Sequence, residues 1–274
     1  MSAPAPAPAL RNAPALLREA RDGIAILTMN RPEQRNTLSE SMLASFAEAL
    51  ADIAADRTVR AVVLAANGPV FCAGHDLKEL TARRSDGDGG RRYFQQTMER
   101  CSDVMQAIVA LPQPVIAAVQ GLATAAGCQL VACCDLAIAS KKAKFCTPGV
   151  NIGLFCSTPM VALSRNVATK HAMEMLLTGD MVSAEDAQRI GLVNRVIEAG
   201  SETEAGLALA RKIAEKSTLT VKIGKEAFYR QREMPLAEAY RYASQVMTEN
   251  MMARDAEEGI CAVLDKRAPL WEDR

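Results

Sequence analysis

The sequence has 274 residues with 32 basic and 32 acidic side chains, so its formal net charge is zero. This length allows one large domain or two small ones, and 49% hydrophobic with 23% charged residues excludes a disordered chain. The neutral balance argues against a nucleic-acid surface, and apolar stretches such as Val62–Ala66 and Val115–Val119 are too short to span a bilayer. We expect a soluble globular protein that binds neither nucleic acid nor membrane.

The eight cysteines predict packing rather than ligand chemistry. Most stand inside apolar runs such as Leu130–Cys134, where a reduced cysteine behaves as a small hydrophobic residue. Cys128, Cys133 and Cys134 lack paired Cys-x-x-Cys spacing, so we expect no metal site. The N-terminus lacks the pattern of a secretory signal, and we therefore expect reduced thiols and a cytoplasmic location.

The N-terminal 20 residues predict a disordered tail, because Ala and Pro alternate over Ala3–Pro8. A cleaved transit peptide is the alternative, but the scarcity of arginine and serine favours the tail. We divide the remainder into a core over residues 21–202 and a C-terminal helical region over residues 203–274.

The first half of the chain alternates predicted strands and helices. Ile24–Thr28 predicts a strand buried on both faces, Thr37–Glu40 has the spacing of a helix capping box, and Val59–Ala66 predicts a second strand. Arg83–Gly90 is rich in glycine and charge and predicts a mobile loop. The apolar residues of Phe94–Ile108 then recur at helical spacing, which indicates a long helix.

The second half begins with two further predicted strands and then becomes helical. The strands are Val115–Val119 and Leu136–Ala139, and between them the small residues Ala123–Gly127 predict the start of a helix. Beyond Ser157 we predict helix ends at Gly179 and Gly191, a cap at Ser183, and two or three amphipathic helices in residues 203–266. The pattern indicates an α/β class with a helical C-terminal portion.

Two segments are suited to place backbone N–H groups beside a ligand. Phe71–Leu80 and Gly121–Gln129 each carry small residues before a predicted helix, so a ligand can approach the backbone closely. Two such N–H groups aimed at one point would form an oxyanion hole. The alternative is a pair of ordinary turns that let helices and strands pack closely.

Four motifs, taken in order, resemble the crotonase superfamily, which contains the enoyl-CoA hydratases and isomerases. Arg31–Leu38 resembles its RPxxxNxL element, and Phe71–Glu79 resembles its FxAGxDxxE element. Pro114–Asp135 resembles the block PVIAAVxG…GxELAxxCD, and Ser183–Asn194 resembles the element that follows the helical bend of the family. Together the motifs cover about residues 23–200.

The resemblance implies a fold and a chemistry. The implied fold is a crotonase-like spiral of repeated ββα units with a C-terminal helical trimerisation region, assembled as a homotrimer or a dimer of trimers. The implied ligand is an acyl-CoA thioester of the kind handled in fatty acid metabolism. No cofactor is expected to be tightly bound, because CoA arrives as part of the substrate.

The same resemblance assigns site residues. Matched motif to motif, the backbone N–H groups of His75 and Ala126 hold the thioester oxygen and stabilise an enolate. His75, Asp76, Leu77 and Lys78 run along the CoA portion, with Lys78 available to its phosphates.

Two positions depart from the hydratases of the family, which add water with a pair of glutamates. Gln129 and Gly149 stand at the positions of those glutamates. Acid–base groups are typically worth ~10²–10⁴-fold each, so we expect two-glutamate hydration to be slow. His75, Glu79, Cys156 and Ser157 are the candidate substitutes, although capping, packing or a purely backbone role are the alternatives for them. The sequence supports a lyase or isomerase acting on CoA thioesters, and a non-catalytic acyl-CoA-binding or regulatory protein is the alternative.

Overall fold

Ten strands and eleven α-helices make up the computed structural model, which describes residues 13–274. The strands are β1 Leu16–Arg21, β2 Ile24–Met29, β3 Ala61–Ala66, β4 Val70–Cys72, β5 Val115–Val119, β6 Leu122–Thr124, β7 Leu136–Ser140, β8 Lys144–Cys146, β9 Val182–Ser183 and β10 Arg195–Ile197. The helices are α1 Glu40–Ala55, α2 Leu77–Ala82, α3 Arg91–Ala110, α4 Ala126–Cys133, α5 Ser157–Asn166, α6 Thr169–Thr178, α7 Ala184–Arg189, α8 Glu202–Ala214, α9 Thr218–Gln231, α10 Leu236–Met251 and α11 Arg254–Leu264.

The strands form two sheets that grow together along the chain. The larger sheet has the order β1-β2-β3-β5-β7-β10, and the smaller has the order β4-β6-β8-β9. Each successive pair (β3 and β4, β5 and β6, β7 and β8) adds one parallel strand to each sheet, and a helix follows the pair. The predicted α/β class with repeated ββα units is therefore confirmed, and the C-terminal helices are present.

The central strands of the larger sheet, β2, β3, β5 and β7, are buried on both faces, as their continuous apolar character predicts. On β2, Ile24 and Ile26 face a layer that contains Leu207 and Ala210 of α8. The alternate residues of β2 face the main core, where helices such as α1 and α3 lie. Helix α8 thus covers this face of the sheet, and its residues Leu207 and Ala210, which follow the predicted boundary at residue 202, pack in the core.

The predicted tail is too long at its C-terminal end. Leu16–Arg21 forms β1, which pairs antiparallel with β2 in a register that sets Leu16 opposite Met29. Leu16 is buried while residues 18–21 of the strand are exposed, so this edge strand lacks the apolar run that would reveal it. Residues 1–12 of the predicted tail lie outside the described residues.

Two helices begin a few residues after the positions that the sequence predicts. Helix α1 is capped by Ser39, whose Oγ accepts the N–H of Met42 (3.3 Å), whereas the Thr37 hydroxyl donates to Asp76 (3.4 Å). The run predicted to start a helix at Ala123 is strand β6 up to Thr124, because it pairs with β4 and β8 on either side. The predicted cap at Ser183 is present, with its Oγ accepting the N–H of Asp186 (3.0 Å).

Residues 203–266 contain parts of four helices, α8 to α11, rather than two or three. The end of the chain then folds back on α11. Glu258 holds it by accepting from the guanidinium of Arg267 (2.6 and 2.9 Å) and from the N–H of Leu270 (2.8 Å). Trp271, the single tryptophan of the sequence, donates its Nε1–H to the carbonyl of Glu215 (2.9 Å).

Acid is expected to release this C-terminal segment. The hydrogen bonds from Arg267 and Leu270 lower the pKa of Glu258 from 4.5 to about 2, so the folded state favours the carboxylate. Its contribution to stability is therefore complete above pH 4.5 and is lost as the pH falls through about 2. We expect the fluorescence of Trp271 to be constant from pH 7 to about 4.5 and to change below that range.

The variant Glu258→Gln should show the acid-type Trp271 emission already at pH 7, because the amide cannot pair with Arg267 as a carboxylate does. Glu257→Gln is the control, since Glu257 pairs with Arg254 on the exposed side of α11. Wild-type emission in the Glu258→Gln protein would show that the segment is held by other contacts.

Candidate active site

The two segments predicted to approach a ligand meet in the structure. They follow the paired strands β4 and β6, where Cys72 lies opposite Ala123. Gly74 has φ +83°, and a Cβ atom on it would lie 3.1 Å from the carbonyl oxygen of Thr124 and 3.4 Å from the backbone nitrogen of Ala126. A Cβ atom on Gly127 would lie 2.2 Å from the carbonyl oxygen of Cys72. Only glycine allows both approaches, so these two positions bring the loop after β4 against the start of α4.

The RPxxxNxL element secures the loop after β4. The side-chain amide of Asn36 donates to the carbonyls of Asn67 (2.8 Å) and Val70 (2.9 Å). The N–H of Leu38 donates to the carbonyl of Gly74 (2.8 Å). The loop that carries His75 is thus hydrogen-bonded to a second segment of backbone rather than resting on its own turn.

The backbone N–H groups of His75 and Ala126 are unpaired within residues 13–274. Ala126 is the first residue of α4, where an N–H has no acceptor in its own helix. The preceding Ala125 has φ 51° and ψ −120°, and its N–H donates to the carbonyl of Cys146 (2.9 Å). A positive φ costs alanine about 1–3 kcal/mol. The surrounding fold therefore stabilises a strained residue directly before Ala126, whose N–H has no acceptor.

Gln129 lies on α4 one turn beyond Ala126. Its side chain is 4% exposed, and within the described residues its Oε1 has no hydrogen-bond partner. A neutral amide neither takes nor gives a proton near pH 7. The structure therefore places a fixed acceptor, without acid–base function, beside the start of α4.

Gly149 lies in a tight turn that leaves no room for a side chain. It belongs to the 3₁₀ helix Pro148–Ile152, and its carbonyl accepts the N–H of Leu154 (2.9 Å). A Cβ at this position would lie 2.8 Å from the Leu154 carbonyl oxygen and 2.9 Å from the Cys156 sulfur. A glutamate at position 149 therefore requires the backbone of residues 149–156 to move.

The two carboxylates near the start of α2 serve local structure. Asp76 caps α2 by accepting the N–H groups of Lys78 (2.8 Å) and Glu79 (3.3 Å). The carboxylate of Glu79 accepts the N–H of Glu40 at the start of α1 (3.0 Å). Both contacts compensate free N–H groups at helix N-termini.

Cys156 and Ser157 stand at the start of α5 without an activating partner among the described residues. Burial raises the pKa of the Cys156 thiol, which opposes formation of the nucleophilic thiolate. The Ser157 hydroxyl contacts the carbonyl of Phe155 at 3.4 Å. Neither contact resembles the hydrogen bond to a base that a nucleophile needs.

His75 differs from these candidates because its ring is free to act. Burial lowers its pKa, and the nearby Leu38 backbone only partly offsets this. Apart from this weak contact with the Leu38 backbone, neither ring nitrogen has a hydrogen-bond partner within residues 13–274. The imidazole is therefore neutral at pH 7 and retains an unoccupied acceptor nitrogen.

Leu77 and Lys78, predicted to lie along CoA, are exposed at the start of α2. The side chain of Lys78 forms no ion pair in the described part of the chain, so its charge is available to an external anion. The starts of α2 and α4 thus offer the Lys78 ammonium and the two free N–H groups of His75 and Ala126.

A cavity of about 510 Å³ lies between α3, α4, α5 and α9. Gln129 lines it together with residues that the sequence did not single out, among them Met105, Arg165 and Arg232. Met105 belongs to α3, Arg165 belongs to α5 and Arg232 follows α9, so no spacing in the sequence could have grouped them.

Comparison with known proteins identifies the family. The family model described as enoyl-CoA hydratase/isomerase matches residues 19–274. The chain belongs to the enoyl-CoA hydratase/isomerase family.

Similar members of this family are known from several organisms. The chain is 47% identical over 251 residues to enoyl-CoA hydratase domain-containing protein 3, mitochondrial, of Rattus norvegicus, with coverage of 92% of this chain and 82% of that protein. A crystal structure of enoyl-CoA hydratase from Mycobacterium smegmatis matches with a TM-score of 0.90 at 52% identity, covering 94% of this chain and 99% of that one. The crystal structure of the human domain-containing protein 3 matches with a TM-score of 0.89 at 47% identity, covering 94% and 100%.

The predicted cytoplasmic location is contradicted by these family members, because the rat, human and mouse proteins are named as mitochondrial. All eight cysteines are free, and burial raises the pKa of Cys72, Cys101 and Cys133 to about 12. Reduced, packed cysteines distinguish reducing from oxidising surroundings. They do not distinguish one reducing compartment from another, which is why the prediction failed.

Two further observations concern residues 13–274 of this family member. No group of three His, Cys, Asp or Glu side chains is arranged to hold a metal ion there. None of the helices described combines the length and hydropathy needed to cross a membrane.

Proposed function

We propose that this chain is an acyl-CoA thioester-binding enzyme that stabilises a thioester enolate between the N–H groups of His75 and Ala126. The reaction class is a lyase or isomerase reaction that does not depend on two glutamates. CoA enters as part of the substrate, with residues 75–78 along it and Lys78 at its phosphates.

The observation that supports this proposal is that the two segments carrying the unpaired N–H groups of His75 and Ala126 lie against each other. Ala125 adopts a strained backbone conformation just before Ala126, and the backbone at Gly74 and Gly127 packs too closely for a side chain. These features hold the segment of His75 against the segment of Ala126. Preorganised N–H groups stabilise charge that develops on an oxygen, and removing one such donor typically costs about 10²–10³-fold in rate. An enolate of a thioester places its negative charge on that oxygen.

The residues around this point supply little acid–base chemistry. Gln129 is neutral, Gly149 has no side chain, and Asp76 is engaged as a cap. Within residues 13–274, the neutral imidazole of His75 is the candidate base that we place beside the two N–H groups. We infer that the substrate itself, or His75, moves the proton, and that crotonyl-CoA is hydrated slowly.

A non-catalytic acyl-CoA-binding protein is the second candidate. The observation that favours it is the turn at Gly149, whose packing against Leu154 and Cys156 excludes a glutamate by sterics. A protein that only binds acyl-CoA has no need to bind an oxyanion better than a carbonyl. The two candidates therefore differ in their relative affinity for these two groups.

Equilibrium binding of two matched ligands separates the candidates. One ligand is butyryl-CoA, and the other is a CoA analogue of similar size with a nitronate anion in place of the enolate. An enzyme should bind the nitronate at least about 10²-fold more tightly, whereas equal affinity would support the binding protein. Failure of both ligands to bind would exclude both candidates.

Lys78→Ala provides the internal control for this measurement. It should weaken both ligands by the same factor, about tenfold or less, because both carry the same CoA phosphates. The factor should shrink at high salt, as expected for an exposed charge. Lys170→Ala, which removes another exposed lysine on α6, should leave both affinities unchanged.

We also propose that the chain assembles as a homotrimer or a dimer of trimers. Large apolar side chains are exposed on the C-terminal helices, including Leu236, Tyr240 and Met247 at 75%, 70% and 62% exposure. An apolar face of this kind is typical of a protein interface.

A further inference from the structure

The peptide bond between Gly74 and His75 decides where the proposed donor N–H points. A trans peptide is planar, and its carbonyl and its N–H point in opposite directions. Gly74 has φ +83° and no side chain, so its backbone allows this plane to rotate more freely than another residue would. A flip of the plane would turn the Gly74 carbonyl, which is an acceptor, to the side from which the N–H of His75 donates. The proposed site therefore needs a contact that fixes this plane.

That contact comes from the segment that precedes α1. The N–H of Leu38 donates to the carbonyl of Gly74 (2.8 Å). The N–H of Ala73 donates in turn to the carbonyl of Arg35 (3.0 Å), and Leu38 and His75 form a short parallel bridge. Because the Gly74 carbonyl is held on the side of Leu38, the N–H of His75 is held on the opposite side of the plane. The hydrogen bond to the carbonyl also polarises the N–H of the same peptide.

Asn36 fixes the segment that carries Leu38. Its side chain is fully buried at 0% exposure, and its Oδ1 accepts the N–H of Arg31 (2.8 Å). Its Nδ2 donates to the carbonyls of Asn67 (2.8 Å) and Val70 (2.9 Å). The backbone of Asn36 has φ 51°, which asparagine tolerates better than most residues. Since Val70 begins β4, the amide ties this segment to the strand that leads into the loop.

The second proposed donor is held in a different way. The carbonyl of Ala125 shares its peptide with the N–H of Ala126, and it accepts the N–H of Gln129 (3.0 Å) as the first hydrogen bond of α4. That plane is therefore fixed by the helix that it begins. The plane before His75 depends instead on a segment distant in the chain.

We propose that Asn36 is a positioning residue for the proposed oxyanion hole. It holds the N–H of Leu38 against the Gly74 carbonyl and so keeps the N–H of His75 aimed at the thioester oxygen. Asn36 acts through the backbone and touches no substrate. This inference rests on the proposed function, and it gives the asparagine of the RPxxxNxL element a role in the chemistry as well as in the fold.

Asn36→Asp tests this role because it keeps the size of the side chain and the acceptor for Arg31 but loses the two donated hydrogen bonds. We expect the preference for the nitronate analogue over butyryl-CoA to fall at least about tenfold, since complete removal of a donor costs about 10²–10³-fold. Butyryl-CoA should lose less affinity, because a carbonyl oxygen carries less charge than an oxyanion. Equal weakening of both ligands would indicate a structural role alone and would overturn the inference.

Gln113→Glu is the matched control. Gln113 is a second buried amide (6% exposed), and its Nε2 donates to the carbonyls of Ile53 (2.9 Å) and Asp56 (3.3 Å). These carbonyls lie at the C-terminal end of α1, whereas Leu38 lies before its start. The control makes the same chemical change away from the site and should leave the oxyanion preference unchanged. An equal fall of the preference in both variants would overturn the inference.

Hydrogen exchange of the wild-type protein tests the inference even where Asn36→Asp fails to fold. Followed by NMR, the amide of Leu38 should exchange slowly before any ligand is added, because its bond to Gly74 is already present. The amide of His75 should exchange faster than that of Leu38 and become protected by the nitronate analogue. Rapid exchange of the Leu38 amide in the free protein would show that the plane is not held.

The binding results distinguish this inference from the proposed function. A wild-type protein that prefers the nitronate, together with a folded Asn36→Asp protein of the same preference, would overturn the inference and leave the proposed function intact. A wild-type protein that binds both ligands equally, or binds neither, would instead overturn the proposed function.

Discussion

Replacing Lys225 with methionine is expected to lower the free energy of unfolding by about 3–5 kcal/mol, the usual cost of leaving a buried charge without its partner. Lys225 of α9 lies 2.7 Å from the carboxylate of Asp135, with side-chain exposures of 7% and 15%. Its ammonium also donates to the carbonyls of Ile108 and Gln113 (3.1 Å each). The substitution thus removes three hydrogen bonds at the point where α9 meets the core.

The physical reason lies in the balance between burial and pairing. Burial lowers the pKa of Lys225, and the charge of Asp135 opposes that effect. Without the ammonium, the Asp135 carboxylate still accepts hydrogen bonds from the N–H of Val115 (2.7 Å) and the hydroxyl of Tyr229 (3.0 Å). Its negative charge, however, has no positive partner. Burial also raises the pKa of Tyr229, so its hydroxyl stays protonated.

Urea unfolding of three variants checks this expectation. Lys225→Met should show the full loss, and the double variant with Asp135→Asn should recover part of it, because a neutral amide needs no counter-charge. Lys222→Met, one turn earlier on the exposed side of α9, should stay within about 0.5 kcal/mol of the native protein. A loss below about 1 kcal/mol for Lys225→Met would mean that the pair does not anchor the helix.

Replacing Ala126 with proline is expected to remove the proposed preference for an oxyanion with little damage to α4. Ala126 is the first residue of the helix, where proline is tolerated because no intrahelical hydrogen bond is lost. The substitution removes the N–H that we propose faces the ligand and places the ring carbon Cδ on the same nitrogen. We expect the preference for the nitronate analogue over butyryl-CoA to fall by about 10²–10³-fold.

Ala126→Gly is the matched control, because it shortens the side chain but keeps the N–H. It should retain the oxyanion preference, while Ala126→Pro should bind butyryl-CoA and nitronate with similar affinity. Circular dichroism and thermal unfolding establish that both variants are folded. An unchanged preference in a folded Ala126→Pro protein would exclude this N–H from the site.

Elements whose signal is local were predicted well from the sequence. β2 and β5 are continuous apolar runs, and the cap at Ser183 requires only residues three positions apart. β1 and β6 were missed because each becomes a strand through its neighbours. β1 is an exposed edge strand beside β2, and β6 is a run of small residues held between β4 and β8.

The sequence by itself determined the alternation of strands and helices in the first half of the chain, the four family motifs, and the absence of glutamate at positions 129 and 149. Only the tertiary structure decided how these features meet. The contact between Gly74 and Ala126, the crowding at Gly149 and the unpaired oxygen of Gln129 all depend on segments distant in the chain. A local sequence pattern indicates helix or strand propensity and capping. The close approach of two distant segments depends instead on how the strands pair across the sheets, and no single segment specifies that pairing.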